Sequence, residues 1–178
     1  GVLLCFQDAA REEGTGFGGF APFRQGGAGG AKQMLVCAQA WPEDLRLALY
    51  TDKLSMPAGE LFAFVCLVAS IYHRVPGVSH AISFSDASAA VAAINSGASG
   101  SPQMQALLLW FYELCPGLQS LAVWIDGKSN TRSDSLSRGR GEEVVREAAR
   151  AGWAPHALLP PPGAFDVLRS IAELPHFE

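Results

Sequence analysis

The chain has little positive charge, and this limits the ways in which it could bind nucleic acid. It carries 13 lysine and arginine residues against 17 aspartate and glutamate residues, which gives a net charge of −4. The segment from Asn95 to Leu121 contains no lysine or arginine. Domains that bind nucleic acid by bulk electrostatics alone are usually strongly basic. If this chain handles nucleic acid, metal ions or a neighbouring domain must supply much of the positive charge.

Long apolar runs and closely spaced cysteines are also missing. No apolar run has the length of a membrane span, and no basic segment followed by an apolar one resembles a signal peptide. The four cysteines lie far apart without a CxxC pair, which favours reduced thiols and an intracellular location, in the cytoplasm or nucleus. With 49% apolar residues among 178, the chain can form one domain with a core. Because residue 1 is glycine and not methionine, we expect a segment of something longer.

The pattern of apolar residues predicts one mixed α/β domain over residues 1–151. Three strand-like segments joined by short turns come first, and a helix that is apolar almost all round follows near Pro57. The predicted order is β-β-β-α-β-α-α-β-α, with residues 42–56 as a loop containing one helical turn. Such an order favours a mixed sheet with helices on its faces. After Gly152 the chain is rich in proline, so we interpret residues 152–178 as a tail or linker.

Four acidic residues stand where the predicted fold could bring them together. Asp8 ends the first strand, Asp86 ends the fourth, Glu60 lies in the first turn of the buried helix, and Asp134 lies in the short helix after the fifth strand. Ligands of such sheets bind at strand ends near a change in strand order. Two unit charges about 4 Å apart repel by about 4 kcal/mol at an effective dielectric of about 20, so protons or cations must neutralise such a set. An all-oxygen site suits Mg²⁺ or Mn²⁺ rather than Zn²⁺.

Each acid by itself has a simpler explanation. Asp86 could cap the helix that follows it, Glu60 could stabilise the dipole of its own helix, and Asp134 could be a solvated helix residue. The glycines of Gly14-x-Gly16-x-x-Gly19 formally match a dinucleotide-binding fingerprint, but that motif opens a helix and the segment here is strand-like. The four acids taken together are therefore the feature that indicates chemistry.

Four segments, taken in order, resemble the ribonuclease H domain found beside reverse transcriptases, especially in retrotransposons that carry a tyrosine recombinase. They are FQDAAREEGTGFGGF, MPAGELFAFVCLVAS, FSDASAAVAAINSGASGSPQM and WIDGKSNTRSDSLSRG. No single segment is specific, whereas all four in the family's order at suitable spacings give a strong signal. Two departures stand out. The loop 126–130 lacks the histidine that many members carry, and Ser133 stands where many relatives have alanine.

This resemblance implies a ribonuclease H-like α/β fold with a five-stranded mixed sheet in the order 3-2-1-4-5 and helices on both faces. It also implies endonucleolytic hydrolysis of the RNA strand of RNA–DNA hybrids, with two Mg²⁺ ions or Mn²⁺ in their place. Asp8, Glu60, Asp86 and Asp134 would be the catalytic, metal-binding acids. Asp8 would bridge both ions, Glu60 and Asp86 would hold the ion nearer the leaving group, and Asp134 would hold the ion that carries the nucleophilic water. The implied partners are the hybrid and a covalently adjacent reverse transcriptase domain, without a membrane.

Five further residues are predicted to contact the substrate. Gly16 and Gly18 would let its backbone approach closely, Lys128 would touch a phosphate, and Asn95 and Asn130 would line its path. Two other functions stay open. The missing loop histidine and the low basic charge fit a non-catalytic module that docks on the polymerase and positions the hybrid. A DNA nuclease or strand-transfer enzyme of the same fold is the third reading, although such enzymes usually carry glutamate as the last acid. The oligomeric state does not follow from the sequence.

Overall fold

A single mixed β-sheet lies in the middle of the computed structural model, which describes residues 1–175. Its strands are β1 (Val2–Ala9), β2 (Gly16–Arg24), β3 (Lys32–Ala40), β4 (His80–Ser85), β5 (Gln119–Trp124) and β6 (Ala154–Ala157). Their order across the sheet is β5-β4-β1-β2-β3-β6. The first three strands form an antiparallel meander, whereas β4, β5 and β6 each run parallel to the neighbour they join.

Seven helices and one short 3-10 turn connect and cover the strands in the described residues. They are α1 (Glu43–Tyr50), α2 (Met56–Tyr72), α3 (Ser88–Ser96), α4 (Pro102–Leu114), the turn Gly127–Ser129, α5 (Thr131–Ser137), α6 (Gly141–Arg150) and α7 (Ala164–Ala172). Helix α2 begins after Ser55, whose side chain accepts a hydrogen bond from the Ala58 amide, and Pro57 occupies the first turn. Helix α3 ends at Gly97, which has a φ of 73°. No helix among residues 1–175 has the length and apolar character needed to cross a membrane.

Successive side chains of a strand point to opposite faces of a sheet, and here both faces are used. On one face, Leu3, Cys5 and Leu35 pack against α2, which is itself buried over most of its length. On the other face, a smaller cluster joins the sheet to α5 and α6; it contains Phe20, Met34, Val36, Leu136, Val144 and Ala148. All four cysteines are buried and unpaired. The predicted α/β fold with helices on both faces and the order 3-2-1-4-5 is confirmed.

The sheet has six strands and not the five that we expected. Strand β6 adds to the outer edge of β3 in parallel, with Gln33 opposite Ala154 and Met34 opposite Pro155. It has four residues, and a proline among them removes one ladder donor, which an edge strand tolerates. These features make β6 look like a loop in the sequence.

The composition after Gly152 suggested a tail or linker, but the described part of this segment packs against the rest of the chain. Besides β6, it contains α7, which buries Leu168 and Ile171 in the main core together with Leu158 from the preceding loop. A run of three prolines separates the two elements and gives the segment its linker-like composition. Similarly, residues 43–50 form two turns of helix α1 where we expected one, and Leu45 and Leu49 hold that helix to the core.

Candidate active site

Asp8 and Asp86 lie at the same edge of the sheet. Asp8 is the penultimate residue of β1, and Asp86 directly follows β4, the parallel neighbour of β1. Asp8 is 7% exposed, whereas Asp86 is half-buried. Asp86 does not cap the following helix: Ala87 occupies the cap position of α3, and no side chain caps that helix end. A Cβ atom added to Gly127 would lie only 3.0 Å from Asp86 Oδ2. The Asp86 carboxylate therefore lies against the loop that follows β5.

Glu60 reaches the same edge from α2, where it is the fifth residue. Its Oε2 accepts a hydrogen bond of 3.0 Å from the backbone amide of Ala9, the last residue of β1. The carboxyl group of Asp8 lies near that of Glu60 and is one of the groups that raise the Glu60 pKa. Burial is the largest cause that raises the pKa of Glu60 well above its usual value, and the charges of Asp8 and Asp86 add to it.

Asp134 approaches from α5, which lies against β1 and β2 on the opposite face from α2. Two arginines bind its carboxylate: Arg138 Nε lies 3.0 Å from Oδ1, and Arg140 lies 3.6 Å from Oδ2. The hydroxyl of Ser137, on the same helix, donates to Asp8 Oδ2 at 2.9 Å. Helix α5 is therefore connected to β1 directly through Ser137 and carries its own acid at a partly exposed position.

Asp8 is the acid that joins the set electrostatically. Burial raises its pKa to about 6, the hydrogen bond from Ser137 opposes this rise, and the nearby charges of Asp86 and Asp134 add to it. Because the charge of Asp8 also raises the pKa of Glu60, Asp8 interacts electrostatically with each of the other three predicted acids. The structure therefore brings all four into one cluster around the end of β1.

The side chains as placed do not form a metal cage. Within residues 1–175, no group of three or more histidine, cysteine, aspartate or glutamate side chains is arranged so that it could hold a metal ion. Arg138 and Arg140 already bind the carboxylate of Asp134. The chemistry of the donors nevertheless fits Mg²⁺ or Mn²⁺, because every one is a carboxylate oxygen. A cation bound by Asp134 would compete with these two arginines.

The predicted substrate glycines are buried, and protein occupies the space beside them. Gly18 lies opposite Asp8 in the β1–β2 pair, and a Cβ there would come within 2.8 Å of the Leu136 carbonyl carbon in α5. At Gly16 a Cβ would lie 2.7 Å from the Ala40 Cα in β3. These glycines therefore allow backbone segments of the protein to pack closely, and Gly18 lets α5 approach the sheet next to Asp8.

The side chains of the two predicted asparagines form hydrogen bonds within the protein, with Asn95 at an exposed position and Asn130 at a buried one. Asn95 Oδ1 accepts from the Ala122 amide at 2.7 Å, and its Nδ2 donates to the Ala122 carbonyl at 2.9 Å, which fastens α3 to β5. Asn130 is buried and donates from Nδ2 to the Gln7 carbonyl at 3.1 Å. The Gln7 side chain in turn donates to Ser83 Oγ at 2.5 Å, so the chain of bonds runs from the loop before α5 through β1 to β4.

Among these five residues, Asn95 and Lys128 are exposed, and the Lys128 ammonium group has no partner within residues 1–175. Its contact with a phosphate stays a prediction. The sequence marked Arg132, Arg138 and Arg140, with Lys128, as a basic cluster that contacts phosphate or forms a solvated face, but sequence reasoning missed Ser137 and the pairing of Arg138 and Arg140 with Asp134. A usable signal existed for two of them, because Ser137 and Arg138 stand three and four residues after Asp134 and so share its side of the helix.

No protein-family model matches the chain, and no curated protein is significantly similar to it in sequence. Solved structures do resemble it. The RNase H1 of the halophilic archaeon Halobacterium salinarum NRC-1 superimposes with a TM-score of 0.50 at 14% identity, over 80% of this chain and 99% of the archaeal one. The N-terminal RNase H domain of a Mycobacterium tuberculosis protein, solved as a fusion with maltose-binding protein, gives a TM-score of 0.49 at 14% identity, over 83% and 98% of the two chains. The archaeal likeness, at this identity, establishes a ribonuclease H-like fold.

Proposed function

We propose that this domain is a metal-dependent ribonuclease H that hydrolyses the RNA strand of RNA–DNA hybrids. The observation that carries the proposal is the cluster of Asp8, Glu60, Asp86 and Asp134 at one edge of a ribonuclease H-like sheet. Separate elements contribute these acids, and burial makes the charges of Asp8 and Glu60 costly unless a cation is present. Phosphodiester hydrolysis with divalent ions is the chemistry that such a set of oxygen ligands serves.

The positions of the four acids support different roles. Two Mg²⁺ ions held there would activate a water molecule and stabilise the leaving oxygen of the phosphodiester. Asp8 is proposed to contact both ions, because it is the acid that interacts with all the others. Glu60 and Asp86 would hold one ion and Asp134 the other. Asp134 must release Arg138 and Arg140 to do so, which leaves these two cations free to meet the phosphate backbone.

We further propose that the domain works inside a retroelement polyprotein, in the cytoplasm or nucleus, where it degrades template RNA beside a reverse transcriptase domain. Two features support this context. The four ordered segments resemble retrotransposon ribonuclease H domains, and a net charge of −4 leaves much of the affinity for the hybrid to an attached partner. The adjacent polymerase would supply the basic surface that the chain lacks between Asn95 and Leu121.

The test is cleavage of a labelled RNA–DNA hybrid in millimolar Mg²⁺ or Mn²⁺. Wild type is compared with Asp86→Asn and with Glu113→Gln, which removes one negative charge from an exposed position on α4. We expect wild type and Glu113→Gln to cleave the RNA strand and Asp86→Asn to be inactive with an unchanged circular dichroism spectrum. Full activity of Asp86→Asn would overturn the assignment. Failure of folded wild type, both alone and joined to its polymerase segment, would reject the enzyme.

A non-catalytic module that positions the hybrid is the second candidate. The observation in its favour is that two arginines neutralise Asp134, which an acid waiting for a metal ion does not require. Calorimetric titration with Mn²⁺ separates the two functions. A catalytic domain should bind Mn²⁺ in the millimolar range or more tightly, and Asp8→Asn should weaken this binding. A folded protein that binds no Mn²⁺ in that range would favour the positioning module.

A further inference from the structure

A cavity of about 300 Å³ lies on the sheet face opposite α2, between the strands and the pair α5–α6. Its floor is aromatic and apolar, with Phe6 from β1 and Phe20 from β2. Trp153, just before β6, forms one end, and the polar residues 129–132 at the start of α5 form the other. The cavity is separate from the four acids, which lie at the strand ends, although both share the segment that leads into α5.

Small side chains on α6 explain why the space is open. Ala148 faces the sheet from the helix, and Ala151 stands at its end on the rim of the cavity. Both are alanines opposite large rings, so the helix leaves a gap that longer aliphatic residues would fill. Phe6 and Trp153 are half-buried, which means that a ligand could reach them from solvent. The volume suits a small planar ring system, at the lower end of ordinary ligand pockets.

Aromatic rings and cations border the cavity. Phe6 is stacked between Phe20 and Phe84 of the neighbouring strands, with centroids 4.9 Å from each, so that its ring faces are covered by these neighbours. At the other end, Arg24 and Lys32 lie 6.0 and 5.6 Å from the centroid of the Trp153 ring. An apolar, aromatic interior with positive charge at its rim binds a flat base inside and a phosphate outside.

The polar end of the cavity adds a cation and an unsatisfied acceptor. Arg132 lines it and is held by Glu147 at 2.8 Å, at an exposed position where a phosphate could replace the carboxylate. Asn130 also lines it, and its buried Oδ1 has no hydrogen-bond partner in the described residues. Such an atom is costly to leave unpaired, so a ligand N–H that reached it would be favoured. The amino group of a base is a donor of this kind.

We propose that this cavity binds a nucleobase, supplied either by a free nucleotide or by an unpaired nucleotide at the end of a nucleic acid strand. The base would stack on Trp153 and contact the edges of Phe6 and Phe20, and the phosphate would meet Arg132 or the cations at Trp153. The site goes beyond the proposed hydrolysis and does not depend on it. Its occupant would contact residues 129–132, which lead directly to Asp134.

The test measures binding of adenosine 5′-monophosphate and of a short single-stranded oligoribonucleotide to the full chain. EDTA is present so that no metal bridges a phosphate to the four acids. Three variants are compared with wild type: Trp153→Ala removes the end wall, Ala151→Leu fills the cavity from its exposed rim, and Tyr50→Ala is the control. Tyr50 is a 64% exposed aromatic residue on α1, far in the fold from this face. Ala151→Leu keeps the test informative if Trp153→Ala fails to fold.

We expect saturable binding to wild type and Tyr50→Ala, and binding weaker by about tenfold or more in both cavity variants, as loss of base stacking predicts. The indole NMR signal of Trp153, assigned by its absence in Trp153→Ala, should shift on binding. If adenosine 5′-monophosphate binds, a free nucleotide is enough to occupy the cavity. If only the oligoribonucleotide binds, the occupant is the end of a nucleic acid strand. Unchanged affinity in folded Ala151→Leu, equal binding of ribose 5-phosphate, or no binding of either probe would overturn the proposal. Because the readout is binding, these outcomes are independent of whether the hybrid is cleaved.

Discussion

Burial and the charges of neighbouring acids both disfavour the ionised form of Asp8. Asp8 is 7% exposed and lies among three other acids, with the Ser137 hydroxyl as a hydrogen-bond donor to its charged form. Burial outweighs this donor and raises the pKa of Asp8 from 3.8 to about 6. A native state in which this acid must ionise without a cation is therefore less stable than one in which it keeps a proton.

The sign of the resulting pH dependence follows from proton binding. Between the ordinary pKa and about 6, native Asp8 holds a proton that the unfolded chain has released, so the free energy of unfolding falls as pH rises through this window. A rise of this size corresponds to about 2–3 kcal/mol. Glu60, whose pKa is also raised, extends the fall to higher pH. Without divalent ions, we expect Asp8→Asn to be more stable than wild type at pH 8 and to lose this advantage at pH 4.

Urea unfolding at the two pH values in EDTA measures this difference. Glu113→Gln is the control, because it makes the same change of net charge at an exposed position and should shift neither curve appreciably. If Asp8→Asn were the less stable protein at pH 8, the carboxylate would be stabilising in its charged form and the account of its environment would be wrong.

At the scale of elements, the distance between β2 and α5 decides where Asp134 stands. Gly18 permits that distance, since a Cβ there would approach the Leu136 carbonyl carbon to 2.8 Å. Gly18→Ala must push α5 away from the sheet, and such overpacking costs about 1–3 kcal/mol. Because Ser137 and Asp134 move with the helix, we expect loss of hybrid cleavage as well as lower stability.

Thermal unfolding and the hybrid cleavage assay together measure the effect of Gly18→Ala. The matched control is Gly29→Ala in the β2–β3 hairpin, where nothing lies within 4 Å of the added Cβ. That variant should behave as wild type in both assays. A Gly18→Ala protein with wild-type stability and activity would show that α5 is not held by this contact.

Elements with strong local signals were predictable, and elements without them were not. Helix α2 has a Ser55–Pro57 start and an almost wholly apolar sequence, and α3 has a glycine end, so both were expected from sequence. Strand β6 is short, carries Pro155 and pairs with a strand more than a hundred residues earlier, which no local pattern encodes. The same limit applies to side chains. Asp8 and Asp86 were predicted as site residues because each stands at the end of a predicted strand. The hydrogen bonds between Asn95 and Ala122 could not be predicted, because they form only where α3 and β5 meet in space.

At the scale of the whole molecule, the chain after residue 151 completes the core. Leu158, Leu168 and Ile171 are at most 6% exposed, and they cover the same side of the sheet as α2. Burial of such side chains contributes about 1.5–3 kcal/mol each, so these three account for a large share of the 5–15 kcal/mol typical of a domain. We predict that removal of this segment destabilises the rest of the chain, which removal of a linker would not do.

We therefore expect a chain ending at residue 151 to lose cooperative unfolding, and the graded variant Leu168→Ala to lose about 2–5 kcal/mol of stability. Leu159→Ala is the control, because that leucine is 78% exposed and its loss should cost less than about 0.5 kcal/mol. Urea unfolding of the four proteins followed by circular dichroism gives the comparison. If the truncated chain unfolds cooperatively at the same urea concentration as wild type, the domain ends at residue 151, and β6 and α7 are not needed for its stability. If the truncated chain shows no unfolding transition, the folded domain includes α7.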